Sequence, residues 1–307
     1  MDGLNFAGNI PDEARQTWER QLLRTTEKMR DTVLARNLVE MRQLAQTVEI
    51  DTVMTVAGVP NSSDGIAAKI VAKGTVPDVA DIAATTTDFK QYQIAVGFYV
   101  NERDLNKDPT LQTKKIDWAT RQIHRREDTI AINGDSSVGL SGIVSAAQSN
   151  PNGKVVASGA SGNNTNNCGA WDGSDSTIDI YTDILNGITR IGDEYQDSQL
   201  FLVGKRATIA PIRRLDDMRK SYADEIVDLF GARSVSDFVR YSAYVPDGYV
   251  YIVAKDADAA EFTVSQDILI DTNYPKEKGG NFWIELKEWV NPFQLYDAEA
   301  FVEICTL

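Results

Sequence analysis

The chain has one histidine, two cysteines and no surplus of positive charge, and each shortage closes off a class of function. With His124 as the single imidazole, a serine or cysteine nucleophile has almost no choice of general base. Cys168, in a polar stretch, and Cys305, near the end, are too few for a disulfide framework or a thiolate metal site, so both are expected as free thiols in a reducing compartment. The 31 Lys and Arg against 45 Asp and Glu give a formal net charge of −14, which argues against a protein that wraps nucleic acid in a basic groove. An acidic wall can still face confined DNA without sticking to it, and the same acidity keeps an abundant protein in solution. No apolar run approaches the roughly 20 residues that cross a bilayer, and residues 1–6 show no basic stretch leading into an apolar one. Neither a membrane nor a secreted protein is expected.

Phosphate and metal motifs are missing as well. No Gly-x-x-x-x-Gly-Lys precedes a Ser or Thr, and Gly159-Ala160-Ser161-Gly162 neither follows a strand nor opens a helix. Asp216 and Asp217 are adjacent, where a calcium loop needs spaced carboxylates. No cofactor and no metal are expected.

What the chain does contain is pattern. Residues 11–45 read as one long helix, with Pro11 in its first turn, Trp18, Leu22, Met29 and Val33 on one face, and Leu34, Leu38, Met41 and Ala45 on an adjoining stripe. From 48 to 100 the pattern becomes strands and turns, with extended arms at 66–73 and 85–100; the second alternates Tyr92, Ile94, Val96, Phe98 and Val100 against Gln91, Gln93, Ala95 and Gly97. A two-stranded arm has too little core to stand alone, so it is expected to lie on another subunit.

A second helix is expected from Leu111 to Asn133, where Ile116, Ala119, Ile123 and Ile130 recur at helical spacing and Gly134 provides a left-handed stop. Residues 149–176 are rich in Asn, Gly and Ser and read as a loop. Helices are expected at 178–195 and 205–215, and strands at 200–203, 238–245, 249–254, 262–270, 283–290, 293–296 and 300–307. Without a regular βαβ repeat, the fold class is α+β.

Gly134-Asp135-Ser136 invites a small serine hydrolase reading, because one lipase-like class carries its nucleophile in such a motif. His124, however, lies upstream on the preceding helix, where that class needs a downstream Asp-x-x-His. Without a second histidine the triad has no base, and no residue is assigned a catalytic role. His124 is expected to be a polar-face or contact residue.

The run Arg126-Glu127-Asp128-Thr129-Ile130-Ala131-Ile132-Asn133-Gly134-Asp135, followed by Gly139-Leu140-Ser141-Gly142-Ile143, resembles the acidic helix end, Gly-Asp turn and Gly-Ile segment of the major capsid proteins of tailed phages. Residues 94–105 resemble the strand feeding that family's long helix, and 297–302 its terminal strand. The family has the Hong Kong 97 fold, shared with encapsulins. The resemblance implies an N-terminal helical arm at 1–47, an extended loop with leading strands at 48–100, and a peripheral domain with spine helix and flexible insertion at 101–177. It further implies an axial domain at 178–270 and closing strands of the peripheral domain at 271–307.

By the same resemblance, the protein would self-assemble as hexamers and pentamers into the icosahedral head of a tailed double-stranded DNA virus, built in the host cytoplasm. Its partners would be a portal protein, a separate scaffolding protein, a decoration protein, and packaged DNA held without sequence-specific binding. The alternative is the shell of an encapsulin-type nanocompartment. Lys69, Lys73, Arg121, Arg125, Glu127 and Asp128 are candidate intersubunit contacts, and Gly134, Gly139 and Gly142 candidate structural turns acting as backbone pivots. Lys69, Lys73 and Asn291 are also of the types that form isopeptide crosslinks in some relatives.

Overall fold

The computed structural model describes residues 34–45, 49–56, 84–101, 110–157, 171, 179–213, 222–271 and 281–306. The arm helix before residue 34, the strand at 66–73 with Lys69 and Lys73, and most of the 149–176 loop lie outside these residues. In chain order come α1 (Ala35–Leu38), β1 (Glu40–Gln43), β2 (Ile50–Val56), β3 (Ala84–Lys90), β4 (Tyr92–Asn101), α2 (Leu111–Asn133), α3 (Ile143–Ser149) and β5 (Lys154–Val156). They are followed by α4 (Ile180–Ile188), β6 (Gln199–Gly204), α5 (Arg206–Ile209), α6 (Tyr222–Leu229), α7 (Val235–Phe238), β7 (Val239–Tyr241), β8 (Tyr249–Lys255), β9 (Ala260–Asp271), β10 (Asn281–Leu295) and β11 (Phe301–Cys305).

Among the described residues the strands form three sheets, in the orders β1-β9-β10-β4, β5-β11-β8-β6-β7 and β2-β3. In the first, β10 is the spine, antiparallel to β4 on one side and β9 on the other. Its pairing with β9 shifts register between Asn291 and Gln294, where Pro292 has no N–H to give the ladder. The helix α2 has the bounds its spacing predicts, and Ile116, Ala119, Ile123 and Ile130 turn inward against β4 and β10. Full burial of each isoleucine is worth about 1.5–3 kcal/mol, so this face fixes the helix on the sheet.

The second sheet is apolar on both faces, since Val250 to Ala254 and Phe301 to Ile304 are buried at nearly every position. Such strands need cover on both sides. α4 lies close on it at Gly187, where a Cβ would stand 2.6 Å from Ile252 Cδ1 and 3.2 Å from Ile304 Cδ1. Buried side chains of both sheets form one continuous core.

Several elements depart from the sequence expectations. The helix expected through Ala45 ends at Leu38; residues 40–43 instead pair in parallel with β9, and Leu44 N–H continues the ladder to Val264 O at 2.8 Å. A sheet edge that satisfies backbone groups has overridden a weak helical stripe. The helix expected at 178–195 stops at Ile188, with a separate 3-10 turn at Asp193–Tyr195. That at 205–215 tightens into a 3-10 turn from Ala210, where Pro211 removes a donor.

The strand expected at 85–100 breaks at Gln91, so that β3 pairs with β2 and β4 with β10. Sheet membership also crosses the expected domain boundaries. β9 joins the sheet under α2, while β11 returns to the other sheet beside β8 and β5. Pairing partners are non-local and leave no mark in strand periodicity.

Candidate functional site: a buried arm clasp and a glycine loop

Arg36, on the short α1, is carried inward until only 6% of its surface is exposed. Its Nη2 donates to Glu127 Oε1 on α2 at 2.6 Å and to Glu288 Oε2 on β10 at 3.4 Å. Nη1 stands 3.8 Å from Oδ1 of Asp267 on β9, and the guanidinium lies 5.0 Å from the centre of the Phe262 ring. One residue earlier, the Ala35 N–H donates to Asp128 Oδ1 at 2.8 Å. Two neighbouring acids of the helix therefore hold two neighbouring residues of the arm.

Glu127 and Glu288 are both fully buried beside one cation. Burial, then the charge of Glu127, pushes Glu288 well above the usual carboxylate range; burial raises Glu127 too, but Arg36 opposes it. Of the two, Glu127 lies closer to Arg36, at 2.6 Å, and Glu288 is the carboxyl whose ionised form is the more disfavoured. Burial also raises Asp128 to about 6, against the Ala35 N–H, and lowers His124 to about 4, with Arg36 adding to the effect. His124 is 7% exposed and sits on the inner face of α2, which corrects the expectation of a polar-face residue.

Glu127 and Asp128, expected as contacts between subunits, make their contacts within the chain. Arg121 and Arg125 are exposed. The sequence reading missed Arg36 and Glu288. Glu288 had a usable signal: it shares the inward register of β10 with Ile284, Leu286 and Val290. Arg36 had none, because its burial depends on where α1 docks.

Beyond α2 the chain closes a tight loop. Gly134 (φ +73°, ψ −172°) donates to Ile130 O at 2.7 Å, and Asp135 and Leu140 exchange backbone hydrogen bonds of 2.9 and 3.0 Å. Asp135 Oδ1 accepts from Ser137 N and Oγ at 3.1 and 2.5 Å, which holds its carboxyl below the usual range, and Arg126 pairs with the same side chain. Tyr92 on β4 donates its hydroxyl to Val138 O at 3.0 Å. Gly134 and Gly139 (φ +75°) occupy left-handed space, whereas Gly142 (φ −145°) is extended and needs to be small. A Cβ at Gly142 would lie 2.3 Å from Gly134 N.

The expected pivots are thus a closed clasp. Ser136 is exposed on the loop while His124 faces the interior, and the described residues show no hydrogen bond between them.

The base of the two-stranded sheet is fastened by a third polar group. Gln91 is 5% exposed, donates its Nε2–H to Thr263 Oγ1 at 2.9 Å, and donates its backbone N–H to Glu49 O at 2.8 Å. Nearby, Arg42 pairs with both Asp51 and Glu261, and Gln294 Nε2 donates to Asp51 Oδ2 at 3.0 Å. Asn291 is buried; it donates to Lys90 O at 3.2 Å and accepts from Phe293 N at 3.3 Å. Cys305 is buried in β11 and disulfide-bonded, which corrects the free-thiol expectation; the only other cysteine in the sequence, Cys168, lies outside the described residues.

Among the described residues no group of three His, Cys, Asp or Glu could hold a metal ion, and no helix is long and apolar enough to cross a membrane. No family model and no curated protein matches the chain by sequence. Solved structures do match by shape. A virus-like particle from Pyrococcus furiosus aligns with a TM-score of 0.61 at 13% identity, over 94% of this chain and 99% of that one. The capsid of the native GTA particle gives 0.64 at 14% identity, over 89% and 90% of the two chains. The capsid of Myoviridae phage XM1 gives 0.62 at 9% identity, over 90% and 92%. The α+β arrangement of these sheets around the long helix is the tailed-phage capsid fold that the sequence motifs resemble.

Proposed function

We propose that the chain is a major capsid protein that self-assembles into the icosahedral head of a tailed double-stranded DNA phage and encloses its genome. The observation that carries this reading is near-complete alignment, in both directions, with capsid chains. The protein would act as a structural subunit without catalysis, arranged in hexamers and pentamers within the virion. A portal, a separate scaffolding protein and a decoration protein would be its partners. DNA would be enclosed without sequence-specific contact, consistent with a net charge of −14 that repels phosphate.

A second reading, an encapsulin-type compartment, is favoured by the match to a virus-like particle over 99% of that chain. Electron microscopy of the purified protein, alone and with a candidate scaffolding protein, tests the shell. Closed particles are expected, and a chain that stays monomeric at high concentration in both conditions would sink the reading. Nuclease-protected DNA inside particles isolated from infected cells separates the phage head from an encapsulin.

A further inference from the structure

The outward face of α2 carries a run of positive side chains. Lys114, Trp118, Arg121 and Arg125 follow one another at steps of four, three and four, which aligns them in a single stripe along the helix. All four are exposed, Trp118 by 51%. The acids of the same helix are turned elsewhere: Glu127 is buried, and Asp117 and Asp128 are half-buried. Arg121 donates to the Asp117 carbonyl at 3.1 Å, and among the described residues neither Arg121 nor Arg125 has a carboxylate partner. A chain of net charge −14 thus presents a positive ridge with an indole in its middle.

Among the described residues, one group of acids clusters around a turn. The 3-10 turn bearing Asp193 and Glu194, with Asp197 just beyond it, lies against the turns after β8 and β10. Ser198 Oγ donates to Asp256 at 2.7 Å, Tyr195 OH to Asp297 at 2.9 Å, and Gly192 N to Glu299 O at 3.1 Å. Asp193, Glu194, Asp197, Asp258 and Glu299 are exposed there, and no ion pair to Lys or Arg satisfies them among the described residues. No hydrogen bond or ion pair among the described residues joins this turn to the α2 ridge.

We propose that the Lys114–Trp118–Arg121–Arg125 ridge docks onto the acidic Asp193–Asp197 turn of a second copy of this chain. The inference rests on the shell reading and names the contact that would build it. Two unlike patches on one molecule make a heterologous contact, which repeats from copy to copy and closes into a ring where the rotation between copies allows it. Trp and Arg together are the composition of an interface anchor. Duplex DNA fits less well: three cations are few, and the field of the whole chain repels it.

Charge reversal tests the contact on the full chain by sedimentation velocity, which counts dimers, rings and shells alike. Arg121→Glu with Arg125→Glu, and separately Asp193→Lys with Glu194→Lys, are each expected to weaken self-association about tenfold or more, the equivalent of two modest charge pairs. Combining all four is expected to restore it, and Trp118→Ala to weaken it without a change of charge. Circular dichroism should be unaltered throughout, since every altered side chain is exposed. Shells that form equally well with both reversals, or a fourfold variant that does not recover, overturn the contact and leave the shell reading intact. Small oligomers that obey the reversal pattern but never close support the contact and overturn the shell. A parent chain that shifts duplex DNA in a gel through Arg121 and Arg125, while self-association ignores them, reassigns the ridge to nucleic acid and overturns the proposal.

Discussion

Glu127 and Glu288 are the same residue type, equally buried around the same guanidinium, yet they answer substitution differently. Arg36→Met leaves two buried carboxyls without a cation and is expected to lower stability by about 3–5 kcal/mol. Glu288→Gln replaces the carboxyl that stands farther from Arg36 and whose charge burial disfavours more, so urea unfolding should find it neutral or slightly stabilised, whereas Glu127→Gln removes the closer partner of Arg36 and should cost about as much as losing Arg36. The pH dependence follows from the direction of the shift. A carboxyl raised in the folded state favours folding at low pH, and that contribution fades from its unfolded value near 4.5 upward.

Asp128 behaves likewise, between 3.8 and about 6. His124 is depressed from 6.5 to about 4, so its contribution is lost as pH falls through that window and opposes Asp128. With these two offsetting below pH 6, the melting temperature should fall as pH rises from about 4.5, and Glu288→Gln should flatten that fall. The chain has one histidine, so a selectively labelled sample reports His124 alone. Its imidazole should show no titration between pH 5 and 8; a midpoint near 6.5 would place it in solvent.

Among the elements, the glycine loop separates conformational need from spatial need. Gly139→Ala meets open space and bears only left-handed strain, about 1 kcal/mol, while at Gly134 a Cβ would lie 2.5 Å from Leu140 O in a backbone region open to glycine alone. Gly142→Ala would press on backbone atoms of Gly134 and Ile132. Thermal unfolding should rank the three variants with Gly134→Ala and Gly142→Ala each losing roughly 2–4 kcal/mol, well beyond Gly139→Ala.

The bounds of α2 were legible because one amphipathic period and one glycine stop define them. β1 was not, because Met41 is 40% exposed and nothing in its neighbourhood announces an edge strand. The clasp was half legible. Glu127 and Asp128 stood out as acids at a helix end, but which side of the helix met the arm was decided by packing at a distance in sequence.

Across the whole molecule, the single core joining both sheets predicts cooperative behaviour. Calorimetry of the unassembled chain should show one transition rather than two, as expected of a molecule whose sheets cannot part without exposing shared apolar surface. Alkylation of the denatured chain without reductant should leave Cys305 unlabelled, and addition of reductant should label it. The fold was recognisable from the order of its motifs, while the exchange of β9 and β11 between sheets was hidden, since pairing is a property of the folded chain.

Gln91 is where this architecture acquires mechanics. Seven residue pairs of β2 and β3 lie on one side of it, and ten pairs of β4 and β10 on the other. It is the single residue between β3 and β4, and the junction around it is held at several points: Gln91 to Thr263, Asn291 to the Lys90 carbonyl, and Arg42 and Gln294 to Asp51. A load on the ribbon would therefore be passed into β9 and β10 rather than relieved at Gln91 alone.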